Sequence, residues 1–146
     1  MKKMLREMKI NSIISMLHLI LVWIFTGNAQ RQAKEFVSKL SLTGQDRLVL
    51  DYQKAWRGSR TLRVGQKYTY VCDDAGRIYL NKDIIWLYVH HKTIIRGAYR
   101  AEQYYFYLYL IDKEEPQIWK TKKKVYPKIL EYYEEHFPHI VDKILI

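Results

Sequence analysis

Cysteine occurs once in the chain, as Cys72. A single thiol excludes an internal disulfide and cannot by itself build a zinc site. It ends the strand-like stretch KYTYVC, where a small buried hydrophobe is the expected role. Glycine and proline are scarce, 6 and 3 in 146 residues, which excludes a low-complexity tract. Acids are outnumbered, 15 Asp and Glu against 25 Lys and Arg, for a formal net charge of +10. No repeat with a period of about 20 to 50 residues is present, which excludes a solenoid. Also missing are a Ser nucleophile elbow, a phosphate-cradling Gly loop and a paired-carboxylate motif. The expectation is therefore a protein that is not an enzyme and carries no cofactor. A hydrolase with a dispersed site is the weakest alternative.

What the chain has is tyrosine, 13 residues beside four Trp and four Phe. Tyrosine favours strands and half-buried surfaces, so the composition points to a sheet-rich domain. Hydrophobic residues make up 49% of the chain, enough for a core. The basic excess can draw the domain to anionic lipid or to nucleic acid, and charge alone does not choose between them.

The first 29 residues stand apart. Lys2, Lys3, Arg6 and Lys9 against Glu7 make a basic start. An apolar stretch follows and closes on GNAQ, the layout of a signal peptide. Gly27 and Ala29 take the −3 and −1 positions for a cut before Gln30. The most apolar part, Met16 to Phe25, is short beside the roughly 20 residues a spanning helix needs. A longer stretch from Ile10 to Thr26 is weakened by Asn11, Ser12, Ser15 and His18. Three readings stay open: a cleaved signal peptide, a retained hydrophobic membrane anchor, or an amphipathic helix of a cytosolic protein. The first two place the following domain outside the cytoplasm.

Beyond this segment, RQAKEFVSKLSLTG reads as a short helix with Phe36, Val37 and Leu40 on one face and Gly44 as its stop. In DRLVLDYQKAW, Leu48, Leu50 and Tyr52 alternate with Val49 and Asp51, which predicts a strand. Strands follow in TLRV, KYTYVC, RIYL, DIIWLYVHH, QYYFYLYLI and QIWKT. Turns are predicted at DDAG, at Arg96-Gly97 and at DKEEP. The period then becomes helical: Val125, Ile129, Tyr133 and Phe137 recur every four residues. Pro127 suits the first turn of that helix and Pro138 its end. HIVDKILI is an apolar tail expected to pack back on the domain.

Few residues invite a chemical role. His90 and His91 are adjacent, and neighbours on a strand point to opposite faces, so they cannot hold one metal together. The pair is expected to end a strand with one half-buried and one exposed imidazole. The spacing His136 to His139 is interrupted by Pro138 and is weak as a metal motif. Asp73-Asp74 and Glu114-Glu115 read as turn residues. The basic run Lys120, Lys122, Lys123 and Lys124 sits where the last strand meets the helix. It is first of all a solvated turn, and second a candidate contact for a phosphate or lipid headgroup. Tyr105, Tyr107 and Tyr109 alternate with the core residues Phe106, Leu108 and Leu110. That tyrosine face, with Trp86 and Tyr88, is either covered by another segment, the reading favoured here, or a partner surface.

The stretches VGQKYTYV, KDIIWLYVHH, YYFYLYLIDKEE and ILEYYEEHFPHIV resemble an uncharacterised bacterial family with a pleckstrin-homology-like (PH-like) domain, often preceded by a hydrophobic N-terminal helix. The resemblance spans roughly residues 45–143. It implies an α+β fold: an antiparallel sheet or partial barrel of about six to seven strands, closed by one C-terminal helix. The expected organisation is residues 1–29 as signal peptide or anchor, 30–44 as a short helix or linker, and 45–146 as the PH-like domain. The resemblance supplies no site residues, and fold does not fix function. The expected role is non-catalytic binding or scaffolding at the cell envelope, with a protein or anionic lipid as partner. Nucleic-acid binding through the basic surface and tyrosines is the alternative. It is not favoured, because an export segment would carry the domain away from nucleic acid.

Overall fold

The computed structural model describes residues 30–73 and 76–142. The expected N-terminal hydrophobic helix, the proposed cleavage region before Gln30, and Asp74 lie outside the described residues. The chain is α+β and falls into two compact units that divide between Tyr79 and Leu80.

The first unit opens with α1 (Gln30–Ser38) and α2 (Leu42–Gln53). Residues Leu48 to Tyr52, whose alternation predicts a strand, are helical. Leu48, Val49 and Tyr52 are buried, a spacing of one and four residues that fits a helix face, while Leu50 is 49% exposed. Gly44 is not a stop either. It lies in the first turn of α2 and donates its N–H to the hydroxyl of Ser41, the N-cap, at 3.0 Å. Ser41 therefore starts a second helix where the sequence pattern places the end of the first.

Four strands follow: β1 (Trp56–Arg57), β2 (Leu62–Val64), β3 (Tyr68–Val71) and β4 (Arg77–Leu80), side by side in that order. β1 with β2 and β2 with β3 pair antiparallel. Their apolar side chains meet the helices: Tyr52 of α2 packs edge-on to Tyr70 at 5.1 Å, and Phe36 of α1 edge-on to Tyr68 at 5.8 Å. Asp51 joins helix and sheet. Its carboxylate accepts from the N–H of Lys67 (3.0 Å), the N–H of Tyr68 (3.2 Å) and the hydroxyl of Tyr70 (2.9 Å).

The second unit continues through a single 3-10 turn (Asn81–Asp83) into β5 (Ile84–Arg96), β6 (Tyr99–Leu110) and β7 (Gln117–Thr121). Next come α3 (Tyr126–His136) and β8 (Val141–Asp142). The strand order is β7-β6-β5-β8. β5, β6 and β7 are antiparallel, as expected, and are joined by short hairpins. The apolar tail departs from the antiparallel expectation: β8 pairs parallel to β5, Val141 opposite Trp86. The tail returns after a whole helix, and a crossover of that kind delivers a strand in parallel sense.

β5 and β6 are longer than the sequence pattern predicts. They run to a two-residue turn, Gly97-Ala98, in which only Gly97 takes a positive φ, +59°, as the first central position of a type II′ hairpin demands. α3 lies on one face of this sheet. Tyr126 at its start stacks on Tyr104 at 5.3 Å, and Ile129, Leu130 and Tyr133 are buried. That face also carries the buried Leu87, Val89, Phe106, Leu108 and Trp119.

Candidate functional site

The face of the second sheet turned away from α3 holds the aromatic residues that the sequence singles out. In register, Trp86 stands opposite Tyr109, Tyr88 opposite Tyr107, and His90 opposite Tyr105. The rings form a ladder. Trp86 stacks on Tyr109 at 5.2 Å, Tyr88 lies against Tyr107 at 5.1 Å, and Trp86 meets Tyr88 at 4.8 Å. Tyr105, Tyr107, Tyr109 and Trp86 are half-buried, and Tyr88 between them is buried. Burial and a hydrogen bond with Tyr109 push the Tyr88 phenol up to about 12.

Trp86 faces this way by simple alternation with Tyr88, and a bulge turns Ile84 to the other face. Ile84 pairs with Leu110 but Trp86 pairs with Tyr109, so Ile85 is an extra residue in β5. In a regular strand Ile84 and Trp86, two residues apart, would share a face. With the bulge, Ile84 is fully buried while the indole joins the ladder.

The register also recruits Ile118, which the sequence pattern does not single out, and Lys120 of the basic run. Ile118 of β7 stands opposite Tyr107 and is 42% exposed, and Lys120 stands opposite Tyr105. Their place on this face appears only once β7 is paired with β6. Counting every second residue along the three strands, the ladder face carries Lys92, Arg96 and Lys120 and no Asp or Glu. The indole Nε1–H of Trp86 is enclosed without an acceptor among the described residues.

The lysine run divides. Lys120, Lys122 and Lys123 line an open cavity of about 350 Å³ together with Glu102, Gln103, Tyr104 and Thr121, while Lys124 lies outside the lining. The start of α3 beside it has no side-chain cap and no acid in its first turn.

Both histidines of the pair are exposed, where one was expected to be half-buried. The reason is length: β5 outruns the core before it reaches them. They do point to opposite faces. His90 sits near Tyr107, at 5.5 Å, on the ladder side. His91 stacks flat on Tyr104 at 4.6 Å and bonds through Nε2 to Glu102. Glu102 also accepts from Thr93 (3.0 Å) and Arg100 (3.3 Å).

These bonds, that from His91 foremost, hold the Glu102 carboxyl below its usual range. A carboxyl with a lowered folded pKa contributes stability above its unfolded value and loses it as pH falls through the folded one. His91→Ala is expected to raise the Glu102 pKa toward the ordinary carboxylate value. Carboxyl NMR titration checks this, and an unmoved Glu102 would assign the shift to Thr93 and Arg100.

The remaining sequence candidates have structural partners. His136 bonds to the Tyr132 carbonyl (3.0 Å) and His139 to the Asn81 carbonyl (3.1 Å), so the two turn to different parts of the second unit. Asp73 caps its turn by accepting from the Gly76 N–H and pairs with Arg77 at 2.9 Å. Burial pushes the Cys72 thiol up to about 12. Among the described residues no group of three or more His, Cys, Asp or Glu is placed to hold a metal ion. Among them, too, no helix is long and apolar enough to cross a membrane.

The architecture is thus an α+β domain whose distinctive surface is an aromatic, acid-free sheet face. The chain belongs to the family described as a domain of unknown function (DUF6709), whose model matches residues 27–143. No curated protein and no solved structure matches the chain significantly.

Proposed function

We propose that this is a non-catalytic binding or scaffolding domain at the cell envelope of a bacterium, with the ladder face of the second sheet as its contact surface. The observation that carries the reading is the ladder itself. Trp86, Tyr105, Tyr107, Tyr109 and Ile118 leave apolar surface open on one face, and contiguous apolar surface of this kind marks interaction sites. The absence of acids on that face suits an anionic protein or lipid partner. The order of four strands, then three, then a helix supports a PH-like fold. The basic start and apolar stretch of residues 1–29 support export or anchoring.

Nucleic-acid binding is the rival reading. Single-stranded binders offer free ring faces on which bases stack. In the ladder the ring faces of Trp86, Tyr88 and Tyr109 are taken up by one another, with planes only 19° to 22° apart at Tyr109. That geometry favours a protein or lipid contact. The dispersed-site hydrolase gains no support from His91, His136, His139 or Cys72, each of which has a structural role.

Cell fractionation with N-terminal sequencing of the mature chain tests the proposal. A membrane-bound or exported protein, with or without a new terminus at Gln30, is the expected result. A wholly cytosolic protein that elutes from an oligonucleotide resin with a steep salt dependence would overturn it.

A further inference from the structure

The β5–β6 hairpin runs on past the rest of its sheet. β7 pairs with β6 only from Tyr104 to Leu108, and β8 pairs with β5 only at Trp86 and Leu87. From Lys92 to Gln103 the two strands have only each other as strand partners among the described residues. Two strands alone are marginally stable in water. Nine of the twelve residues of this arm are exposed, and Ile94, Ala101 and Gln103 are half-buried. Its tip holds two large apolar side chains in the open, Ile95 at 67% and Tyr99 at 63% exposure. Ile95 pairs with Arg100 and Tyr99 with Arg96, so the two apolar side chains lie on opposite faces of the ribbon. Three cations, Lys92, Arg96 and Arg100, surround them. The one acid of the arm, Glu102, is bonded to His91, Thr93 and Arg100.

We propose that this tip is a membrane-docking element: Ile95 and Tyr99 enter the interfacial layer of a bilayer rich in anionic lipid, and Lys92, Arg96 and Arg100 lie among its headgroups. The two-sided placement of the apolar residues decides the partner. A protein surface covers one face of a ribbon, and an added strand covers one edge. A bilayer surrounds the tip and buries Ile95 and Tyr99 together. A second copy of the chain would bring like charges against Lys92, Arg96 and Arg100. A nucleic acid would find no stacking platform in Ile95. Apolar residues at a tip with cations beside them fit an interface where aromatic rings sit at headgroup level and basic residues meet anionic lipid.

The inference shares the envelope setting with the proposed function but uses neither the ladder nor the lysine cavity. Its experiment therefore succeeds or fails independently of fractionation. The full chain carrying Ala98→Cys is labelled at the turn with an environment-sensitive fluorophore. Near neutral pH the native Cys72, with its raised thiol pKa, reacts slowly. The protein is mixed with phosphatidylcholine vesicles, with and without phosphatidylserine.

The expected result is a blue shift only with phosphatidylserine, quenched by nitroxide-labelled acyl chains. Ile95→Asp or Tyr99→Asp should weaken the vesicle affinity read by the probe by about tenfold or more. Arg96→Ala and Arg100→Ala should each weaken it by about fivefold at low salt. Leu42→Asp, at an exposed apolar position of the first unit outside both surfaces, should leave the shift intact. Vesicle binding with an unchanged tip probe would overturn the proposal. So would a shift produced by a single-stranded oligonucleotide or by raised protein concentration alone, or a vesicle shift that Leu42→Asp abolishes.

Discussion

Gly65→Ala is expected to destabilise the first unit by about 3 kcal/mol, and Asp51→Ala by a similar amount. A Cβ on Gly65 would sit 2.0 Å from an Asp51 carboxylate oxygen and 2.5 Å from its carbon, well inside any real contact. The glycine is required by room, since its φ is not among the positive values. The carboxylate cannot simply move aside. It accepts from two backbone N–H groups and from the hydroxyl of Tyr70, and burial and Asp51 itself keep that phenol protonated. Displacing it strands donors next to the fully buried Tyr68 and Tyr70. Hydrogen bonds to charged groups contribute roughly 1.5 to 3 kcal/mol each, and part of the loss is recovered through water at the exposed Lys67 N–H. The two substitutions should not add. Once Asp51→Ala has removed the carboxylate, Gly65→Ala meets little and should cost below about 1 kcal/mol, a coupling of about 2 kcal/mol. Urea unfolding of the two single variants and the double variant measures it. Additive losses would mean that Gly65 serves the fold in some other way than by admitting Asp51.

Asp51 also shows where the sequence stops being legible. LVLDY satisfies two periods at once: Leu48, Leu50 and Tyr52 alternate, while Leu48, Val49 and Tyr52 form a helical face. The choice between them was made by partners distant in the chain. Ser41 caps the helix from its start, and the donors to Asp51 lie 16 to 19 residues further on. Local pattern cannot contain that information. The strands from Tyr68 to Thr121 and the helix α3 were legible because their period is unambiguous and their hairpins close on Gly76 and Gly97, both at positive φ. The alternation of β6 correctly divides Phe106 from Tyr107. Trp86 and Tyr88 likewise fall on the tyrosine face as the alternation implies, but the face taken by Ile84 was not legible, because one inserted residue, Ile85, changes the count. The lysine run gave a cluster in sequence, but only the turn into α3 shows that Lys120, Lys122 and Lys123 share a cavity and Lys124 does not line it. The tip residues Ile95 and Tyr99 become visible only when the hairpin register and the ends of β7 and β8 are known together.

Two neighbours on β6 should respond in opposite ways, and the difference bears on which face is free to bind. Phe106 is fully buried on the α3 side, opposite Trp119 with ring centroids 5.3 Å apart. Phe106→Ala removes a large side chain from a packed core and leaves a cavity. The expected loss is about 4 kcal/mol, seen as a lower urea midpoint. Tyr107 is one residue on, half-buried in the ladder between Tyr88 and Ile118. Tyr107→Ala forfeits ring contacts and part of its buried area but opens its gap toward water, which enters it freely. Its cost should be about 1 kcal/mol. A protein whose ladder were a second core would instead lose comparable stability at both positions. Such a result would remove the ladder from consideration as a contact surface, because a layer that stabilises its own fold to that degree is not available to a partner. The expected fourfold disparity in cost leaves Tyr107 free to be replaced in binding experiments without unfolding the sheet that presents it.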